Sequence, residues 1–156
     1  PFLKKTLSKY FLFKKFFKDN SNYLFKKFIT SGSLNEIIKD FDKIEKPFLL
    51  KIDIEGSEYR LLDEIISNQN YLSGLIIEFH DVDLNLDKIS EFIEKFNLSL
   101  SHIHPNNYGS TDKSGNPNVI EMTFEKKPVF EAGKNILPNN LDQPCDPEKE
   151  EIKLVF

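Results

Sequence analysis

Asp53 and Glu55 stand two residues apart at the end of an apolar run, Phe48, Leu49, Leu50 and Ile52, and Gly56 and a helical pattern follow them. A buried strand has this pattern when it delivers carboxylates to the rim of an α/β sheet. Ligands of open α/β folds bind in the crevice outside the carboxyl ends of the strands, so acids at that rim are site candidates. The same two acids can stabilise the positive N-terminus of the following helix, a role worth about 0.3–1 kcal/mol that needs no substrate, and the two roles can coexist. A second apolar run, Leu75 to Phe79, carries Glu78 and is followed by His80 and Asp81-Val82-Asp83. A third, from Leu98, ends in His102, His104 and the loop residues Asn106, Asn107 and Tyr108. Side chains alternate along a strand, so Glu78 and His80 point to one side of their strand end, and His102 with His104 to one side of theirs. If the first two strands are neighbours, Asp53, Glu55, Glu78, His80 and His104 converge above the sheet.

Such a group can do proton chemistry. A carboxylate or histidine within hydrogen-bond reach can take the proton of a hydroxyl. Histidine ordinarily titrates nearest neutrality, which singles out His80 and His104 by type. Aspartate and histidine at a rim can also hold a divalent cation that acidifies the hydroxyl, although the spacing matches no dedicated ligand motif and the metal assignment stays open. His102 is expected deeper in its strand, hydrogen-bonded to backbone. Asn106, Asn107 and Tyr108 are either turn residues, since asparagine bonds its own backbone, or contacts to substrate from a rim loop.

The elements that must position these groups alternate. Ser33-Leu34-Asn35-Glu36 reads as a capping box opening a helix through about Phe41. A strand over 48–53 follows, then a helix from about Ser57 to Ser67 with Leu61, Leu62, Ile65 and Ile66 inward. Leu75 to Phe79 is the next strand, Ile89, Phe92, Ile93 and Phe96 mark the next helix, and Leu98 to His104 is again a strand. Asn106 to Asn118, with two glycines and Pro117, is a loop, and Val119 to Phe124 alternates as a closing strand. Strands separated by helices predict an α/β fold with a parallel sheet, in which the loop-joined last pair can be antiparallel.

With 156 residues and 39% hydrophobic content the chain can build one domain with a core. A net charge of −4 argues against nucleic acid as the main partner, because phosphate neutralisation needs a basic face. Arg60 is the one arginine, so bidentate anion clamps are scarce, and Cys145 stands alone, which leaves no internal disulfide or cysteine zinc site. No apolar run approaches the ~20 residues of a membrane span and no signal peptide is visible, so the expected address is the cytoplasm. Asn97-Leu98-Ser99 fits a glycosylation acceptor formally, with nothing else indicating secretion.

Lys51-Ile52-Asp53-Ile54-Glu55-Gly56-Ser57-Glu58, followed by Tyr59, Leu61 and Leu62, resembles the (K/V)-(I/V)-D-(I/V)-E-G-x-E segment of the FkbM-type S-adenosylmethionine-dependent methyltransferases. Ile77-Glu78-Phe79-His80 looks like the next strand end of those proteins. His102-Ile103-His104-Pro105-Asn106-Asn107-Tyr108-Gly109 is similar to the H-x-H-x-N-N-Y-G segment of one branch, and Leu137-Pro138 through Leu141-Asp142-Gln143-Pro144 to that branch's tail. The resemblance covers about residues 28–156. It implies S-adenosylmethionine as cofactor and O-methylation of a small-molecule or saccharide hydroxyl. With methyl transfer as the chemistry, the reading of the residues assigns catalytic roles to Asp53, Glu55, Glu78 and His80, cofactor contacts to Asp53 and Gly56, and substrate contacts to His104, Asn106, Asn107 and Tyr108. The family's sheet is a Rossmann-like one of seven strands with an antiparallel last strand, of which this chain would supply the later strands.

The resemblance is incomplete. These proteins usually carry an earlier D-x-G-A-N-x-G loop, and no glycine occurs here before Gly32. A glycine-rich loop lets backbone approach a nucleotide-like ligand closely. With Pro1 at its start, the chain is expected to be a C-terminal portion: a basic aromatic segment over 1–30, the C-terminal half of a methyltransferase domain over 31–130, and a tail over 131–156. Its first partner would be the N-terminal half of its own domain. The basic segment holds eight lysines against Asp19, interleaved with aromatics from Phe2 to Phe28. Lys14 and Lys18 fall among Leu3, Leu7 and Phe11, so the clean apolar face that membrane-surface binding needs does not form. Its aromatics, Tyr23 and Phe25 included, are expected to pack on the local core or the absent half. Two other functions remain open: a metal-dependent glycosyltransferase using Asp81-Val82-Asp83, and a non-catalytic degenerate domain.

Overall fold

The computed structural model describes residues 2–18, 26–40, 45–129, 137–139 and 141–154. The elements are α1 (Phe2–Phe16), α2 (Ser33–Asp40), β1 (Phe48–Ile52), α3 (Leu62–Asn68), β2 (Leu72–Phe79), α4 (Val82–Lys95), β3 (Ser99–Pro105) and β4 (Ile120–Glu125), with single 3-10 turns at Glu58–Arg60 and Gln69–Tyr71. The sheet has four strands in the order β1-β2-β4-β3. β1 and β2 are parallel, and β4 runs antiparallel to β2 on one side and to β3 on the other. Three strands therefore share a direction, and the last strand inserts between the second and third.

The register explains where the core sits. Leu75 pairs with Phe124, Ile77 with Met122 and Phe79 with Ile120, so one face of the sheet is apolar throughout. Leu62 and Ile65 of α3 and Ile89 and Phe92 of α4 are buried with that face in one cluster. Phe92 meets Phe124 edge-on at 5.7 Å and Phe79 at 6.2 Å between ring centroids. Each such ring removed from water contributes about 1.5–3 kcal/mol. The alternate positions, Lys51, Glu78, Glu121, Thr123, His102 and His104, face the other side. A bulge keeps that parity in β3: Leu100 pairs with Phe124 but His102 with Thr123, which leaves Ser101 as the extra residue. Without it His102 would point into the core.

Two expectations need correcting. The capping box does not form: Ser33 Oγ accepts the Thr30 N–H at 2.8 Å, and Glu36 pairs with Lys27 at 3.4 Å. The donors at the start of α2 go instead to Glu64 of α3, whose carboxylate accepts from Gly32 and, at 3.0 Å, from the Asn35 N–H. The helix expected over 57–67 is a 3-10 turn and a separate α3, broken at Leu61 (φ −104°, ψ −8°), because the Glu58 carboxylate is drawn back to the turn before it. Tyr10, Phe11, Phe13 and Phe16 of α1 are exposed and meet one another and Phe17, so of the two expected packings the one on the local core is not seen for them. Tyr23, Phe25 and the expected helix end at Phe41 lie outside the described residues. No helix among the described residues is long and apolar enough to cross a membrane.

Candidate functional site

After Ile52 the chain turns sharply. Glu55 (φ 53°) and Gly56 (φ 91°) both take left-handed conformations, free for the glycine and costing roughly 1–2 kcal/mol for the glutamate. The turn is held by Glu58, which is fully buried. Its Oε1 accepts the N–H groups of Ile54 and Gly56, each at 3.1 Å. The Glu55 side chain is thereby presented at the rim, 87% exposed.

The end of β2 brings His80 to the same place. The Tyr59 hydroxyl donates to the His80 carbonyl at 2.5 Å while its ring stacks on Phe79 at 5.7 Å. His80 Nδ1 lies 3.0 Å from Glu58 Oε1, and Nε2 lies 3.4 Å from Glu55 Oε2 and 3.3 Å from Glu78 Oε1. One ligand atom each of Asp53, Glu55 and His80 fall within 4.8 Å of one another. Asp53, Glu55, Glu78 and His80 thus converge, as the alternation predicts.

The loop residues divide. Asn106 reaches the cluster, donating from Nδ2 to Glu78 Oε1 at 3.2 Å, and its Oδ1 accepts the Tyr108 N–H at 2.9 Å in an Asx turn. Tyr108 is exposed, with Lys149 Nζ 5.7 Å from its ring centre. Asn107 is buried and holds the C-terminal tail, accepting the Asp146 N–H at 2.6 Å and donating to the Asp146 carbonyl at 2.9 Å. His104 does not join the cluster but pairs with Glu151 of the tail. His102 is bound by the Asp142 carboxylate at 2.9 Å, not by the backbone expected for it, because the bulge turns it to the polar face.

The electrostatics set Glu78 apart. Burial pushes its carboxyl above the usual range, and the Asp53 and Glu121 charges add to the rise, against the Asn106 hydrogen bond and His80. Across the polar face Lys51 is raised chiefly by its hydrogen bond to Glu121, at 2.9 Å. The Tyr59 hydroxyl is held protonated, first by burial and then by Glu58, Asp81 and Asp83.

Glu58 is the residue that the strand-end reasoning missed. Its signal is in the spacing: Glu58, Leu61, Leu62 and Ile65 recur at three- and four-residue steps, so the acid lies on the inward stripe. An acid on an apolar stripe needs a partner. Asp81 and Asp83, the candidate glycosyltransferase pair, stand at the start of α4, Asp81 in a left-handed conformation (φ 50°) with its carbonyl accepting from Asn85 at 3.0 Å. Carboxylates there favour the helix by position alone.

The methyl donor implied by the resemblance can be tested against these residues. A Cβ at Gly56 would meet nothing nearer than Asp81 Oδ2 at 3.7 Å, so within the chain it is the backbone angle (φ 91°) that calls for glycine here. The described residues supply acids and a histidine suited to hydroxyl groups, without the glycine cradle that a nucleotide-like group requires.

A model of the methyltransferase FkbM domain matches residues 6–109, more than half of the chain. The match begins upstream of the motifs that carry the resemblance, includes Asp53, Glu55, Glu78, His80 and the His102–Gly109 segment, and ends before the tail. No curated protein matches the chain, and no solved structure does. The chain belongs to the FkbM methyltransferase domain family.

Proposed function

We propose that this chain forms the acceptor side of an S-adenosylmethionine-dependent O-methyltransferase, acting on a hydroxyl of a saccharide or similar small molecule. The observation that carries the proposal is the convergence of Asp53, Glu55, Glu78 and His80 at the strand ends of an FkbM domain. Members of this family generally use S-adenosylmethionine, which supplies an electrophilic methyl group when bound. The order β1-β2-β4-β3, with the last strand reversed, supports reading the sheet as the later strands of a Rossmann-like one.

In this reading the acceptor hydroxyl lies against Glu78. As its oxygen takes the methyl group, the O–H bond breaks and the proton passes to the Glu78 carboxylate, which burial makes a stronger base than an ordinary carboxylate. Asn106 orients that carboxylate through its hydrogen bond. Asp53 and Glu55 hold the acceptor in line, where positioning contributes most. A cleft of about 520 Å³ lies between Val82, Asp83 and Leu86 of α4, the 112–118 loop and Lys153–Leu154 of the tail, and none of Asp53, Glu55, Glu78 and His80 lines it. A cavity of about 170 Å³ between α3 and α4 lies away from these groups. The lone Cys145 and the lack of a spanning helix among the described residues are consistent with a cytoplasmic address.

The test is transfer of a deuterated methyl group from S-adenosylmethionine to a panel of saccharides, read by mass spectrometry. The protein assayed is the full-length product of the gene that encodes this chain. Methylated product that disappears in Glu78→Gln supports the proposal. Transfer from a sugar nucleotide instead, with no methyl transfer, overturns it.

A further inference from the structure

The His80 ring is bracketed by acceptors. Glu58 Oε1 already takes two backbone N–H groups, so His80 Nδ1, 3.0 Å away, must donate its proton there. A neutral ring with that tautomer turns a lone pair on Nε2 towards Glu55 Oε2 at 3.4 Å and Glu78 Oε1 at 3.3 Å. Acceptors facing acceptors repel, and the repulsion is relieved by a second ring proton or by a cation.

A second observation lies behind the ring. Glu58 is 0% exposed, and its Oε2 has no hydrogen-bond partner among the described residues. A buried carboxylate half satisfied by donors is costly unless positive charge compensates it. A histidine that donates its far N–H to a carboxylate while its other nitrogen faces outward is also the arrangement of a metal-ligating imidazole.

The distances allow it. The candidate ligand atoms of Asp53, Glu55 and His80 lie within 4.8 Å of one another, and a cation about 2.1 Å from each needs them within about 4.2 Å. Asp53 and Glu55 are exposed, so side-chain rotation closes the difference while the buried Glu58 keeps His80 still.

We propose that Asp53, Glu55 and His80 Nε2 bind one divalent cation, with Glu58 as the positioning residue behind the imidazole. Two carboxylate oxygens and one imidazole nitrogen make a donor set of intermediate softness, which suits Mn²⁺ or Zn²⁺ better than Mg²⁺ or Ca²⁺. Three protein ligands leave coordination positions for hydroxyl oxygens. On the methyl-transfer reading those positions take the acceptor hydroxyl and lower its pKa, and Glu78 receives the proton. Only that role rests on the reading; the binding of the cation does not.

The experiment is titration of the 156-residue chain with Mn²⁺, free ion being followed by electron paramagnetic resonance. One saturable ion per chain is expected, displaced by Zn²⁺ and not by an equal concentration of Mg²⁺. Asp53→Asn and His80→Gln should each weaken binding at least about tenfold, the scale for a lost ligand or its support, while Glu91→Gln, whose carboxylate pairs with Lys95 on α4, leaves it unchanged. Asp53 is exposed, so its variant remains informative if His80→Gln fails to fold. Absence of saturable binding, or binding that Asp53→Asn leaves undiminished, overturns the proposal. Cation binding without methyl transfer under any acceptor would leave the site standing and overturn the function proposed above.

Discussion

Glu58 Oε1 lies 3.0 Å from His80 Nδ1, and the same oxygen holds the backbone of the turn that carries Glu55. One buried atom therefore fixes the ends of β1 and β2 against each other. The rim acids are exposed and adaptable, whereas the group behind them is not. That division suits a site that must keep one ring in place while its outer ligands adjust.

Glu58→Ala leaves three donors without an acceptor, two of them backbone. Removing one partner of a buried charged network costs about 3–5 kcal/mol, and that loss is expected in urea unfolding. Glu58→Gln, which keeps an oxygen, should lose less. A loss under about 1 kcal/mol for the alanine variant would show that the turn does not depend on this carboxylate.

Glu78 gives the pH dependence. Its carboxyl is raised by burial first, so the acid limb of turnover should lie above the ordinary carboxylate range. Asn106→Ala removes a hydrogen bond that favours the charged form and should move the limb to higher pH; Asp53→Asn removes a repelling charge and should move it lower. The stability sign follows from the same shift. A group whose pKa rises on folding favours the fold at low pH, and that contribution is lost as pH rises through the raised value. Glu78→Gln should therefore melt no lower than the parent at neutral pH while turnover falls about 10²-fold. Limb shifts in the opposite directions would remove Glu78 from the role of base.

The strands and rim acids were legible because alternation and apolar runs are local signals, and β1, β2, β3 and β4 each stand within a few residues of their expected places. What was not legible depends on partners distant in sequence. Ser33 and Glu36 have the spacing of a capping box, yet Glu64, folded in from α3, takes the α2 donors. His104 and Asn107 look like rim residues, yet Glu151 and Asp146 engage them from the tail. The order β2-β4-β3 also follows from pairing that no local pattern encodes.

That contrast is testable at α2. Glu64→Ala should lower stability by about 1–3 kcal/mol, since it strips acceptors from two N–H groups in a partly buried setting. Glu36→Ala loses only an exposed pair with Lys27, worth about 0–1 kcal/mol. A capping box would reverse the order of the two variants in thermal melting.

Gly56→Val tests the turn. At φ 91° any Cβ is strained, by about 1–2 kcal/mol, although no atom lies close enough to clash. Relief of that strain moves the Gly56 N–H away from Glu58 and loosens the support of His80. Turnover should therefore fall further than the loss of folded protein accounts for, as measured by specific activity alongside melting. A variant with normal turnover would place Gly56 outside the site's support.

Asp53 decides between a site and a helix cap. α3 begins only at Leu62, and the Glu58–Arg60 turn before it is wound around the Glu58 carboxylate, so Asp53 stands outside the first turn of either. An acid so placed has little helix dipole to stabilise, because that effect falls off within a turn. Glu55 and His80 each bring a ligand atom within 4.8 Å of its carboxylate. Asp53→Asn should accordingly cut turnover about 10²-fold or more, with His80→Ala doing the same. The Asp53→Asn melting temperature should change little, because an exposed rim residue fills no core. If Asp53 serves only the helix that follows, the pattern inverts: about 1 kcal/mol of stability is lost and turnover survives. Measuring both quantities on the same preparation separates the two, and retained activity with lowered melting would remove Asp53 from the site.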